Sequence, residues 1–239
     1  PLRDRAPGSI DMLVYRENTE GEYAPTGGRL YAGTPNEIAV QTAVFTRRGC
    51  ERILRAGFEA ARRRPRKKLT SITKSNAQVH TLGLWDDVYH AVKGDYPDVQ
   101  SSSLLVDAAA MDFVRKPEVF DVVVASNLFG DILTDLSAMI TGSVGLGASA
   151  NLNPERAFPS MFEPLHGSAP DIAGKGIANP LAAILSAKLM LDHLGYEKSA
   201  SAMHAAIARV LKEGKVRTPD LGGKATTVEM ANAVISALG

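Results

Sequence analysis

The apolar positions follow two rhythms, short dense runs and longer runs at helical spacing, and their order along the chain predicts a mixed α/β protein. Residues 10–15 (IDMLVY) form a first strand. Residues 37–45 (EIAVQTAVF) alternate as a strand does, so 23–45 reads as two extended segments forming a hairpin-like arm, with Gly27-Gly28 as its turn. Thr46 is placed to cap a helix running to Arg63, with Ile53, Leu54, Phe58 and Ala61 on one face. Then follow a strand at 69–73, a helix at 85–92, a strand at 104–106, a short helix at 108–114 that stops before Pro117, a buried strand at 120–125 (FDVVVA), and a helix from about 129 to 140.

The rhythm breaks at 142–147 (GSVGLG), and Pro154, Pro159, Pro164 and Pro170 mark a long irregular stretch before helices at 180–194, 198–213 and 227–238. This places a domain boundary near 143, separating residues 1–143 from 144–239. Composition agrees with a folded chain: 45% hydrophobic and 22% charged residues exclude disorder as the main state. One cysteine, Cys50, excludes a disulfide scaffold. Lys+Arg 27 against Asp+Glu 26 gives no global reason to bind nucleic acid or an anionic membrane. With no apolar run of spanning length and no signal-like segment in the opening residues 1–5, the expected compartment is the cytoplasm. A start at Pro1 is also what a fragment or processed chain looks like.

Asp131 and Asp135 are the sharpest candidates for chemistry. At i and i+4 they share a helix face, where like charges repel unless a cation sits between them. Hard oxygen donors suit a divalent ion such as Mg²⁺; a solvated acidic face is the competing reading. The helix directly follows the buried strand, and ligands of open α/β sheets sit at strand carboxyl ends. Lys74 and Asp107 have the same placement after their own strands, as an ion pair or a proton shuttle. After the first strand, Arg16 could grip a carboxylate and Tyr23 could donate a proton, unless this is an ordinary polar loop. Residues 166–171 (HGSAPD) form a small-residue loop of the kind that approaches phosphate, and Asp171 could bond a ribose hydroxyl. No GxGxxG, P-loop, HExxH, CxxC or GxSxG occurs. The basic run 62–68 (RRRPRKK) has no interleaved aromatics and reads as a solvated cationic helix end rather than a phosphate-binding patch.

Five ordered motifs then converge: RENTEGEY at 16–23, TKSN at 73–76, VDAAAM at 106–111, SNLFGDILTD at 126–135 and FEPLHGSAPDIAGKGIANP at 162–180. Together they resemble the metal-dependent β-decarboxylating dehydrogenases, the family of isocitrate and isopropylmalate dehydrogenases, over nearly the whole chain. The resemblance implies an α/β, isocitrate/isopropylmalate dehydrogenase-like two-domain fold from which the N-terminal part of the cofactor domain is absent. Residues 1–143 would then be the metal-binding and dimerisation domain with its arm, and 144–239 the C-terminal part of the NAD-binding domain.

Further roles follow from that resemblance. Asp131 and Asp135 look like the Mg²⁺ or Mn²⁺ carboxylates of one subunit. Asp107 looks like a third, and Lys74 like the proton relay for the substrate hydroxyl, both acting in the partner's site of a homodimer. Arg16 looks like a substrate-carboxylate ligand, and Tyr23 like the acid that protonates the enolate carbon once CO₂ has left. Glu163, His166, Gly167, Ser168, Ala169, Asp171 and Asn179 match the cofactor loop, and the Asp171-Ile172 pair resembles NAD-using members. The implied activity is metal-assisted oxidation and decarboxylation of a small 2-hydroxy dicarboxylic acid. FTRRGCERIL, RPRKKLTS, VVASNLFGDIL and SANLNPERAFPSMFEP look most like the tartrate/D-malate branch, with 3-isopropylmalate as the alternative. A truncated module without activity of its own is the second alternative.

Overall fold

A computed structural model describes Leu2, Ala6 and residues 8–239. The reading of residues 1–5 as a start without a signal therefore lies, Leu2 apart, outside the described residues. The described chain separates into two compact units, Leu2–Ser137 and Ala138–Gly239, each treated by itself below.

The first unit holds β1 (Leu13–Arg16), β2 (Gly27–Leu30), β3 (Ile38–Gln41), α1 (Arg47–Arg63), β4 (Lys68–Thr73), α2 (Thr81–Lys93), β5 (Gln100–Leu105), α3 (Val106–Arg115), β6 (Val122–Ala125) and most of α4 (Asn127–Thr141). Strands β1, β6, β4 and β5 lie in that order in one sheet, and every pairing is parallel. The VVVA run of β6 is wholly buried because it pairs with a strand on each side. Leu54, Phe58 and Ala61 of α1 and Leu82, Trp85 and Tyr89 of α2 fill the adjoining core. Gly57 lets α1 approach the sheet: a Cβ there would stand 2.2 Å from Val124 Cγ2. The Trp85 indole N–H donates to Ser71 Oγ at 2.9 Å, satisfying both polar groups in that core.

Because the strands run parallel, their carboxyl ends lie along one edge of the sheet. That edge carries Arg16 at the end of β1, Asn127 after β6, Lys74 after β4 and Asp107 just after β5.

Several boundaries differ from the sequence reading. β5 begins at Gln100 rather than 104, since QSSS has no hydrophobic rhythm and an edge strand requires none. α2 begins at Thr81 rather than 85. Gly27-Gly28 is not the turn of the arm but part of β2, paired with Gln41 and Val40. A Cβ on Gly27 would lie 2.1 Å from the Val40 carbonyl oxygen, so this glycine answers a close strand approach. The turn lies between β2 and β3, where Tyr31 (φ 54) and Gly33 (φ 77) adopt left-handed backbone and the Gly33 N–H donates to the Glu37 carboxylate.

The basic run is mostly exposed, Arg63, Arg66, Lys67 and Lys68 among it, and three of its arginines are tied down. Arg62 pairs with Asp98, Arg64 with the buried Asp121, and Arg66 donates to the carbonyls of Glu118 and Phe120. The first pair ties the end of α1 to the entry of β5, and the others tie the segment after α1 to the entry of β6.

The second unit contains β7 (Ala148–Asn151) and β8 (Met161–Pro164), then α5 (Leu181–His193), α6 (Glu197–Glu213) and α7 (Thr227–Leu238). β7 and β8 form an antiparallel pair inside the stretch read as irregular, where small residues and prolines hide the strand pattern. Leu181, Ala206, Ile207, Val210, Met230 and Val234 make the helical core. Thr226 and Glu229 form a reciprocal capping box at the start of α7. Among the described residues, no helix is long and apolar enough to cross a membrane.

Candidate active site

Arg16, at the last position of β1, reaches across to α4. Its Nη1 donates to Asp131 Oδ1 at 2.6 Å, while Nε and Nη2 both donate to Asn127 Oδ1, at 3.0 and 2.8 Å. The other Asp131 oxygen, Oδ2, accepts from the Tyr23 hydroxyl at 3.1 Å. The Arg16 guanidinium also lies 5.6 Å from the centre of the Tyr23 ring. Desolvation first, and then the bond to the Asp131 carboxylate, raise the Tyr23 phenol above its ordinary pKa. The phenol is therefore protonated at neutral pH, as a proton donor must be, and is a weaker acid than a free tyrosine.

This seat exists because residue 130 is glycine. A Cβ there would lie 2.6 Å from Arg16 Cγ and 2.7 Å from its Cβ. Gly130 therefore leaves room for the arginine stem against α4.

Three glutamates around Tyr23 hold the loop that follows β1. Glu17 is buried and accepts from Arg52 and from both the backbone and hydroxyl of Thr19. The Glu20 carboxylate takes the Thr46 N–H and hydroxyl at the start of α1, both at 2.8 Å. Glu22 takes the Ser126 hydroxyl at 2.6 Å and the Leu128 N–H at 3.1 Å at the start of α4. Negative charge is favourable at both helix N-termini.

Lys74 and Asp107 meet as a pair, Nζ to Oδ1 at 2.6 Å. The Lys74 ammonium holds the Asp107 carboxyl below the usual carboxylate range. Asp135 lies one turn beyond Asp131 on α4 and is exposed. Among the described residues, no three acidic, histidine or cysteine side chains gather into a metal-holding group. Within one chain the donors are the two helix-face carboxylates, hard oxygen ligands that suit Mg²⁺ or Mn²⁺, which need only one or two carboxylates from protein. Asp131 and Asp135 are thus donors of the kind such an ion takes, with both Asp131 oxygens here engaged by Arg16 and Tyr23.

In the second unit, Glu163 lies on β8 and accepts from Asn151 Nδ2 at 3.1 Å. His166, Gly167, Ser168, Ala169 and Asp171 occupy the loop that follows. There the His166 ring Nδ1 is 2.9 Å from the Gly167 carbonyl, and Ala169 takes left-handed backbone (φ 44). Gly167, Ser168 and Asp171 are exposed. Asn179 differs from these: it is buried, its Oδ1 accepts the Leu181 N–H at the start of α5, and its Nδ2 donates to Asp220 at 2.9 Å. Asp220 also accepts from Ser143 at 2.6 Å and from Thr218. Burial pushes the Asp220 carboxyl up, but these three donors outweigh it and leave its pKa below the ordinary value.

Sequence reasoning missed Asn127, which orients Arg16, and the network around Asp220. Asn127 stands within SNLFGDILTD and directly precedes the turn that carries Asp131, a position that could have flagged it. Asp220 carried only the Thr-Pro-Asp turn signal, which says nothing about its partners 41 and 77 residues away.

The comparisons with known proteins bear on this geometry. The family described as isocitrate/isopropylmalate dehydrogenase matches residues 1–234. The chain belongs to that family. It is 52% identical to D-malate dehydrogenase [decarboxylating] of Escherichia coli K12 over 98% of this chain and 66% of the relative. It is 50% identical to a probable tartrate dehydrogenase/decarboxylase of Bacillus subtilis, over 97% and 65%. It is 53% identical to 3-isopropylmalate dehydrogenase of Thermobifida fusca, over 95% and 63%. The solved isocitrate dehydrogenase of Methylococcus capsulatus superposes with a TM-score of 0.91 at 41% identity, covering 96% of this chain and 67% of that one. The chain thus has the isocitrate/isopropylmalate dehydrogenase fold and spans about two thirds of the length of these relatives.

Proposed function

We propose that the protein carrying this chain oxidises and decarboxylates a small 2-hydroxy dicarboxylic acid, D-malate or tartrate, with NAD and Mg²⁺ or Mn²⁺. The observation that carries the reading is the Arg16–Asp131–Tyr23 cluster at the carboxyl edge of the parallel sheet, supported by the likeness to the D-malate and tartrate dehydrogenases named above.

Bound NAD would accept hydride from the carbinol carbon, and a divalent ion on Asp131 and Asp135 would acidify the hydroxyl and favour negative charge on that oxygen after CO₂ leaves. The protein's own groups do the remaining work. Arg16 presents a planar guanidinium to a substrate carboxylate, and Asn127 sets its plane through two bonds to one oxygen. Lys74 passes an Nζ proton to the Asp107 carboxylate and takes the substrate hydroxyl proton in its place, so the proton leaves the reacting centre through the pair. Tyr23 delivers a proton to the enolate carbon. In this reading Lys74 and Asp107 act in the site of a second copy, so the active form is a homodimer. The cofactor lies on the loop bearing Glu163, His166, Gly167, Ser168, Ala169 and Asp171. Asn179, with its side chain engaged by Asp220 and α5, shapes that loop's exit.

A second substrate, 3-isopropylmalate, is favoured by the Thermobifida fusca relative. The deciding assay is NADH formation with D-malate, tartrate and 3-isopropylmalate, each with and without EDTA. Turnover that needs metal with one of the first two supports the proposal. Turnover with 3-isopropylmalate alone moves the assignment to that acid, and no turnover with any of the three overturns it.

A further inference from the structure

The tyrosine proposed as the proton donor sits on an exposed loop, and Tyr23 is itself 52% exposed. A catalytic group on a loop needs something rigid to fix its distance from the reacting atoms. The backbone around Tyr23 is pinned on the arm's side by the Gly21–Val44 bridge and by the Ala24 carbonyl, which accepts from Gln41, but those partners belong to the solvent-exposed arm rather than to the helix that carries Asp131. Upstream, the chain is tied to the N-terminus of α4 by three bonds. The Asn127 amide donates to the Glu20 carbonyl at 3.1 Å, the Ser126 hydroxyl to Glu22 Oε1, and the Leu128 N–H to Glu22 Oε2. Gly21, between them, has φ +103, and a Cβ there would lie 3.3 Å from Asn127 Cβ, so the loop is drawn closely against the helix.

We propose that Glu22 is the positioning residue of Tyr23: its carboxylate bridges the strand-to-helix turn after β6 and so sets the adjacent phenol over Asp131. The geometry supports this in two ways. Both carboxylate oxygens are used, one on a side chain and one on a free helix N–H, so the group is fixed in two directions and satisfies an amide that the helix leaves without an internal partner. Asp131 lies one turn beyond the Leu128 amide, so Glu22 ties Tyr23 to the same helix that presents its hydrogen-bond partner. Among the described residues Glu22 bonds to Ser126 and Leu128 and not to Asp131 or Arg16, which separates it from the groups that would meet substrate. The inference rests on the proposed function for the chemistry assigned to Tyr23, but not for the contact itself.

The test compares E22A, E22Q and S126A with the wild type in the natural polypeptide that carries this sequence. Glutamine can keep both contacts, accepting from Leu128 and donating to the Ser126 oxygen, whereas alanine keeps neither. E22A is expected to lower kcat about 10- to 100-fold, as a misplaced catalytic group does, with KM for the hydroxy acid within about threefold. E22Q should recover most of the lost kcat, and S126A should fall between. Hydrogen exchange of the Leu128 amide should quicken in E22A and not in E22Q. Unchanged kcat in E22A overturns the proposal. So does an equal loss in E22A and E22Q, which would put the charge itself in the chemistry, and so does a parallel change of kcat, KM and melting temperature, which would mark a merely structural role. If E22A fails to fold, S126A decides by the same kcat-against-KM split. A wild type without hydroxy-acid turnover defeats the proposed function, and the exchange rate of the Leu128 amide then decides whether the tie exists.

Discussion

Gly130→Ala isolates the seat of Arg16 with one methyl group. The added Cβ would meet Arg16 Cγ, Cβ and Cδ at 2.6, 2.7 and 3.1 Å. Comfortable carbon contacts lie at about 3.5–4.0 Å, so the arginine stem must withdraw by about 1 Å. Its bonds to Asn127 are 2.8 and 3.0 Å long, and a shift of that size carries them past the useful range. Hydrogen bonds of a charged group contribute about 1.5–3 kcal/mol, so KM for the hydroxy acid should rise about 10- to 100-fold. Because a carboxylate clamp holds ground state and transition state alike, kcat should change much less. Stability should move little: alanine gains about 1 kcal/mol over glycine in a helix, against about 1–3 kcal/mol for overpacking. Steady-state kinetics on G130A, R16Q and the double variant separate the terms. If the methyl acts through Arg16, the double variant loses little beyond R16Q. A G130A enzyme with KM within twofold of wild type, or additive losses in the double variant, would refute the reasoning.

Two further outcomes follow from the same physics. D220A removes the shared acceptor of Ser143, Asn179 and Thr218 and should lower stability in urea unfolding at pH 7 by about 1–3 kcal/mol. Because the folded Asp220 carboxyl titrates below the ordinary carboxylate value, its stabilisation is present above about pH 4 and fades as pH falls through the folded pKa. The gap between wild type and D220A should therefore narrow in acid, and a constant gap would contradict the assignment. Cys50 is buried, and burial, reinforced by Glu20 and Glu17, pushes its thiol up to about 12. Folding should therefore block its alkylation by iodoacetamide at pH 8, and unfolding in urea should restore it. Its contribution to stability is complete below about pH 9, where the unfolded thiol titrates, and falls by about 1 kcal/mol per pH unit as pH rises toward 12. A C50A variant should lack that slope, and rapid labelling of the native protein would count against the burial.

The alternation of apolar and polar positions, by itself, determined the mixed α/β class, the helix capped by Thr46 and the buried strand of β6. It did so because burial of a periodic face is a local property of the chain, set by 3.6-residue or two-residue spacing. The five motifs likewise made the family legible, since each is a short run of residues in order. Local pattern could not show the first half of β5, whose serines lie on a sheet edge, or β7, whose residues are small, or β8, which is short and ends in proline. Nor could it place the arm's turn, because Gly27 serves a strand contact made with Val40.

Only the tertiary structure decided which charges meet. Glu17, Glu20 and Glu22 read alike along the chain, yet one pairs with Arg52, one accepts at the start of α1 and one at the start of α4. Arg16 and Asp131 are 115 residues apart in sequence and 2.6 Å apart in space. Such pairings depend on the register of parallel strands and on where a missing Cβ leaves room, and no local spacing encodes either. The sequence therefore determined which groups the edge of the sheet would offer, and the fold decided that Arg16, Tyr23 and Asp131 would stand together there.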